Sequence, residues 1–140
     1  MPSPAELLAD AVRRRDADDL EDHLDEAWSQ GLGPEVVPTL CKALQARWHA
    51  RHEDIALALQ ELRAPGAVAA LFETARSDVP YTPYDYSDAL ARKCCWALAD
   101  TGTQEARAAL GDLVRDARPV VAGYAQRRLD RWELELDRKA

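Results

Sequence analysis

ALADTGTQEARAALGDLVRDA, residues 97–117, repeats the pattern of ALQELRAPGAVAALFETARSD, residues 58–78. Ala58 and Leu59 match Ala97 and Leu98, Ala67 matches Ala106, and Ala70 and Leu71 match Ala109 and Leu110, all at one offset of 39. Upstream, AWSQGLGPEVVPTLCKAL aligns with the same unit at an offset of 31, pairing Ala27, Val36 and Leu40 with Ala58, Ala67 and Leu71. Downstream, VVAGYAQRRL aligns with LARKCCWAL at 31, pairing Val121, Ala125 and Leu129 with Leu90, Cys94 and Leu98. A period of 31 residues therefore underlies the chain. The interval of 39 exceeds it by eight, the length of VPYTPYDY, residues 79–86.

Within each unit the apolar spacing is helical. Ile55, Leu59 and Leu62 keep an i, i+4, i+7 stripe, and Val68, Leu71 and Ala75 begin a second one after a turn at Arg63–Gly66. Pro65 suits the first turn of that second helix, where a missing N–H costs nothing. Gly102 marks the same break in the next unit, and Gly31, Gly33 and Pro34 mark it in the one before. A helical hairpin repeated at fixed period predicts an all-α stack of hairpins.

The expected helices cover about 4–15, 18–29, 34–49, 51–63, 66–77, 87–100, 103–116 and 119–137. They form one domain over 1–140: an N-terminal cap helix 4–15, repeats at about 18–49, 51–77 and 87–116, a C-terminal cap helix 119–137, and a loop insertion at 79–86. Asp85 or Ser87 is expected to cap the helix after the insertion.

RKCCWALADTGTQEARAAL, residues 92–110, resembles a bacterial HEAT or PBS-lyase-type repeat. Leu90, Cys94, Ala97, Leu98, Gly102, Ala106 and Leu110 stand where such repeats carry their small residues, Ala-Leu pair, turn glycine and second-helix Ala and Leu. The resemblance implies a right-handed α-solenoid of about eight helices whose second helices line a concave face. It says little about function, because such arrays serve unrelated tasks.

Composition narrows the classes. The chain has 140 residues, 47% hydrophobic and 31% charged, as in soluble globular proteins. No run reaches the ~20 apolar residues of a membrane span. MPSPAELLADAVRRR lacks an apolar core after a basic start, so no signal peptide and a cytoplasmic location are expected. The net charge of −7 argues against a nucleic-acid binder and suits a basic protein partner. DADDLEDHLDE, residues 16–26, carries seven acids and no Lys or Arg, and reads as a solvated helix face or a docking patch for such a partner.

Candidate chemistry is sparse. His49 and His52 fall at i, i+3 with Glu53 and Asp54 beside them, but the order HxxHE is not a zinc-protease pattern. They are expected to be solvated turn residues, with no metal. Deoxyhypusine hydroxylases, a HEAT-repeat enzyme family, use several His-Glu pairs; this chain has one, His52-Glu53. HEAT-like alkylpurine DNA glycosylases place aromatic and acidic residues in a basic groove, and Trp48, Trp96 and Trp132 would be the aromatics here. Cys94 aligns with core positions, Cys95 is less constrained, and no thiol-nucleophile motif surrounds them. No cofactor and no catalytic residues are expected.

The repeat offsets instead predict rows on the concave face. Lys42, Glu73 and Asp112 form one, Gln45, Arg76 and Arg115 a second, and Cys41, Phe72 and Gly111 a third. Mixed acid and arginine beside an apolar row suits a protein chain. Tyr81, Tyr84, Asp85 and Tyr86 join them at the rim, since tyrosines supply contact area at small entropic cost; alternatively they form a lid over a gap between repeats. The reading is a non-catalytic protein-binding module, a monomer or weak dimer, similar to some immunity proteins of polymorphic toxin systems. Its alternative is a HEAT-like enzyme or accessory factor acting on a small molecule or nucleic acid.

Overall fold

The computed structural model describes residues 1–77 and 88–139; the expected insertion and the Asp85 and Ser87 caps lie outside the described residues. Among the described residues there are nine α-helices and no strand: α1 (Pro4–Arg14), α2 (Ala17–Ser29), α3 (Val37–Leu44), α4 (His52–Leu62), α5 (Val68–Arg76), α6 (Ala89–Thr101), α7 (Gln104–Leu113), α8 (Pro119–Asp130) and α9 (Trp132–Lys139). Short 3₁₀ turns, Pro34–Val36 and Pro65–Ala67, lead into α3 and α5.

Local signals explain most boundaries. Ser3, Asp16 and Thr103 cap α1, α2 and α7, each side-chain oxygen accepting a backbone N–H in the first turn. Two helix ends separated by the repeat offset close in left-handed conformation, α4 at Arg63 (φ 47°) and α6 at Gly102 (φ 74°). Pro34 and Pro65 open the two 3₁₀ turns, where a missing N–H leaves no partner unsatisfied.

The residues matched across the repeat form the core. Ala58, Leu59, Ala97, Leu98, Ala67, Ala106, Leu71 and Leu110 are all fully buried. Small Ala side chains let α4 and α6 approach closely, while the neighbouring leucines fill the space between layers. Helix α4 packs on α6 and α6 on α8; α3 packs on α5 and α5 on α7. The adjacent hairpins close through α5 on α6 and α7 on α8, and α1 covers α2 and α3.

Three expected boundaries need correction. The helix expected at 34–49 is a 3₁₀ turn followed by α3, which stops at Leu44. Side chains take over from the helix there: His49 Nε2 bonds the Ala43 carbonyl at 2.6 Å and His52 Nε2 the Ala46 carbonyl at 2.5 Å. The helix expected at 119–137 breaks at Arg131 (φ −103°, ψ 9°). That break turns Trp132 inward, where it is buried with the Arg107 guanidinium 5.6 Å above its ring. The helix expected at 87–100 starts at Ala89, and its N-cap is Asp88, left-handed (φ 50°) with no side-chain cap bond.

Candidate functional site

The expected contact rows fall on α3, α5 and α7, helices that pack side by side. Lys42, Glu73 and Asp112 are exposed on them. Phe72 is half-buried, and the Arg76 guanidinium lies 5.5 Å from its ring centre. Arg76 also approaches Glu73 at 3.7 Å, and Arg115 approaches Asp112 at 3.9 Å. These exposed i, i+3 pairs stabilise little, so they leave a mixed-charge surface available to a partner. Arg115 differs from expectation: α7 ends at Leu113, and Arg115 sits in the turn beyond it, its N–H bonded to the Asp112 carbonyl. Gln45 is the C-cap of α3 and Arg76 the last residue of α5, so this row runs along three helix C-termini, where its two arginines are favoured.

Tyr81, Tyr84, Asp85 and Tyr86 lie outside the described residues, but the flanks of their segment do not. Ser77 and Asp88 both line a cleft of about 350 Å³ together with Glu73 and Arg76. The residue that organises this cleft is Arg118, which the repeat arithmetic misses. Its Nη1 donates to the Ser77 carbonyl at 2.8 Å and to Asp88 Oδ1 at 3.3 Å, and its Nη2 donates to the Ala75 carbonyl at 2.7 Å. Its Nε and backbone N–H both donate to Asp116 Oδ1, at 3.0 and 2.9 Å. Arg118 thus fastens Ser77 and Asp88, the residues flanking the tyrosine segment, to each other and to the turn between α7 and α8. The same guanidinium holds the Asp116 carboxyl below the usual carboxylate range. A local signal exists in the sequence, since Asp116 two residues before Arg118 can accept its N–H and shape an Asx turn. The contacts back to Ala75 and Ser77 have no such signal.

The histidines are the clearest correction. His49 and His52 are 8% and 3% exposed, not solvated, and their rings stack with centroids 4.2 Å apart. Nδ1 of His49 accepts the Arg51 N–H at 3.0 Å, so with Nε2 on a carbonyl this ring is neutral. Burial pushes both histidines below their ordinary value. Both Nε2 atoms are committed to carbonyls, and among the described residues no group of three or more His, Cys, Asp or Glu could hold a metal ion.

The acid-rich run is partly spent inside the molecule. Asp16 caps α2, Asp19 pairs with Arg14 at 2.7 Å, and Asp25 and Glu21 meet Arg51 at 2.8 and 3.4 Å. Asp18, Asp22 and Glu26 form no ion pair with a described residue. Cys94 and Cys95 are both fully buried, so Cys95 is as constrained as its neighbour. Burial raises the Cys94 thiol strongly and pushes Cys95 up to about 12, which leaves neither as a thiolate at neutral pH. No helix among the described residues is long and apolar enough to cross a membrane. Comparison with known protein families, curated proteins and solved structures finds no match to this chain.

Proposed function

We propose that this chain is a non-catalytic, HEAT-like protein-binding module, a right-handed α-solenoid whose concave face is made by α3, α5 and α7. Its contact surface comprises Lys42, Phe72, Glu73, Arg76, Asp112 and Arg115, with Tyr81, Tyr84, Asp85 and Tyr86 at the rim. One observation carries this reading: Ser77 and Asp88, the flanks of the tyrosine segment, line the same cleft as Glu73 and Arg76. The chain therefore leaves and re-enters the described residues beside the mixed-charge rows, and tyrosine-rich segments are common in protein-recognition sites.

The partner that suits a chain of net charge −7 is a basic protein. An inhibitor of a basic toxin, acting in the cytoplasm as a monomer or weak dimer, fits that charge, because complementary fields speed encounter as well as holding the complex. The thiols and imidazoles support a binding rather than a catalytic role, since both buried thiols are held protonated and both imidazoles are bonded to backbone carbonyls.

The test is co-expression with the product of the neighbouring gene, followed by purification and titration. The proposal expects association at or below micromolar concentration. It also expects the Tyr81→Ala, Tyr84→Ala double variant to weaken that association with little change in melting temperature. Absence of association at micromolar concentration discards the inhibitor reading; a large loss of stability in the double variant makes the segment a lid.

A further inference from the structure

A second cleft, of about 590 Å³, opens between α6, α8 and α9 and shares no residue with the surface above. Four arginines line it, in a chain that is acidic overall. Two are internally engaged. Arg128 is buried, lies 3.7 Å over the ring of Trp96, and donates to Glu135 Oε1 at 2.7 Å; Arg131 donates to the same oxygen at 3.2 Å. The other two, Arg92 and Arg127, are exposed and form no ion pair with a described residue.

Two further features point to a ligand. Trp96 lines the cleft and remains 40% exposed although Arg128 covers part of it, so part of the indole surface stays open. Glu135 is buried, 9% exposed, and its Oε2 has no hydrogen-bond partner among the described residues. A buried carboxylate oxygen without a donor is rare in folded proteins and marks a place where a donor is missing. The cleft therefore offers two free guanidinium forks, one open aromatic surface and one spare acceptor, in a volume within the ~300–1,000 Å³ of small-molecule sites.

We propose that this cleft binds a nucleoside monophosphate, with the phosphate between Arg92 and Arg127, the base along the open part of Trp96, and a ligand N–H or O–H donated to Glu135. Planar guanidinium forks match phosphate oxygens two at a time. Arg128 and Glu135 hold each other and Trp96 in place before the ligand arrives, so little ordering is left for the binding step. Asp100 and Glu135 also line the cleft, and their charge disfavours the many backbone phosphates of a nucleic-acid strand more than the one phosphate of a single nucleotide.

The experiment titrates the full chain with AMP, GMP, CMP and UMP by calorimetry and by quenching of tryptophan fluorescence. Adenosine, inorganic phosphate and a short single-stranded oligonucleotide serve as comparison probes. At least one nucleoside monophosphate is expected to saturate, with phosphate alone and nucleoside alone each binding about tenfold or more weakly. Arg127→Ser and Arg92→Ser, both at exposed positions, should each weaken binding by about tenfold, and Trp96→Phe should remove the quenching. Glu6→Gln, exposed on α1 and outside both surfaces, should leave nucleotide binding unchanged. The proposal is overturned if no monophosphate saturates at millimolar concentration, if phosphate alone binds equally well, if the oligonucleotide binds more tightly than the monomer, or if the arginine variants bind like wild type.

Discussion

Arg118 Nη1 donates to the carbonyl of Ser77 across 41 residues of sequence, at 2.8 Å. The bond spans the base of the tyrosine segment, and the same nitrogen reaches Asp88 on the far side. One side chain, 23% exposed, therefore decides how closely the two flanks sit.

Arg118→Ala leaves the Ala75 and Ser77 carbonyls and two carboxylates without their shared donor. A loss of about 2–3 kcal/mol in unfolding free energy is expected. Arg118→Lys keeps the charge but loses the fork, and should fall between the two. Urea denaturation of the three proteins checks this order, which an equal stability of the lysine variant and wild type would contradict.

The stacked histidines predict a pH dependence. Burial holds both below the ordinary histidine value, with the neighbouring Arg51 and Arg47 charges adding to the depression. Above the unfolded value of about 6.5, both states are neutral and the full stability is present. As pH falls through that value the unfolded chain takes up protons that the folded chain resists, so stability declines towards the folded value. Asp116 acts lower: its depressed carboxyl contributes stability above about pH 3.9 that is lost as pH falls through its folded value. Equilibrium unfolding between about pH 7.5 and 5.5 reads the histidine contribution, and a flat profile there would contradict it.

Leu98, fully buried at a repeat-matched position, should lose about 2–5 kcal/mol when changed to Ala, through lost transfer energy and an unfilled cavity. Leu57, two residues before the matched Leu59 and 39% exposed, should lose under about 1 kcal/mol by the same change. Thermal melts of the two variants, side by side, measure the contrast.

The left-handed helix ends give a prediction of opposite sign. Arg63 holds φ at 47°, a region that disfavours a Cβ, so Arg63→Gly should stabilise the chain by about 0.5–1 kcal/mol. Gly102→Ala should destabilise it by about 1–2 kcal/mol, because φ is 74° and a Cβ there would stand 2.9 Å from Leu136. Denaturation midpoints moving in the same direction would refute this account of the two ends.

Much of the helix order was legible because Ala and Leu recur at fixed offsets, and those residues have one physical job, to be buried at a helix contact. Ala58, Leu59, Ala97 and Leu98 are the plainest examples. The breaks at Leu44 and Arg131 were not legible, since His49, His52 and Trp132 end those helices by contacts that local propensity does not encode. The burial of the histidines has no local signal either, since His49 lies between α3 and α4 and His52 opens α4, where side chains normally face water. The arginine cleft was within reach of the same offset arithmetic. Trp96 stands 31 residues before Arg127, and Asp100 stands 31 before Arg131, so extending the rows to the first helix of each hairpin would have brought these side chains together.

Ser77 is held through its carbonyl, a group that every residue carries, and Asp88 through a side chain just outside the tyrosine segment. The bonds that Arg118 makes to Ala75, Ser77, Asp88 and Asp116 therefore do not depend on which residues occupy 78–87. That stretch can be exchanged without removing any of these bonds, which makes it the natural graft point for a new recognition sequence.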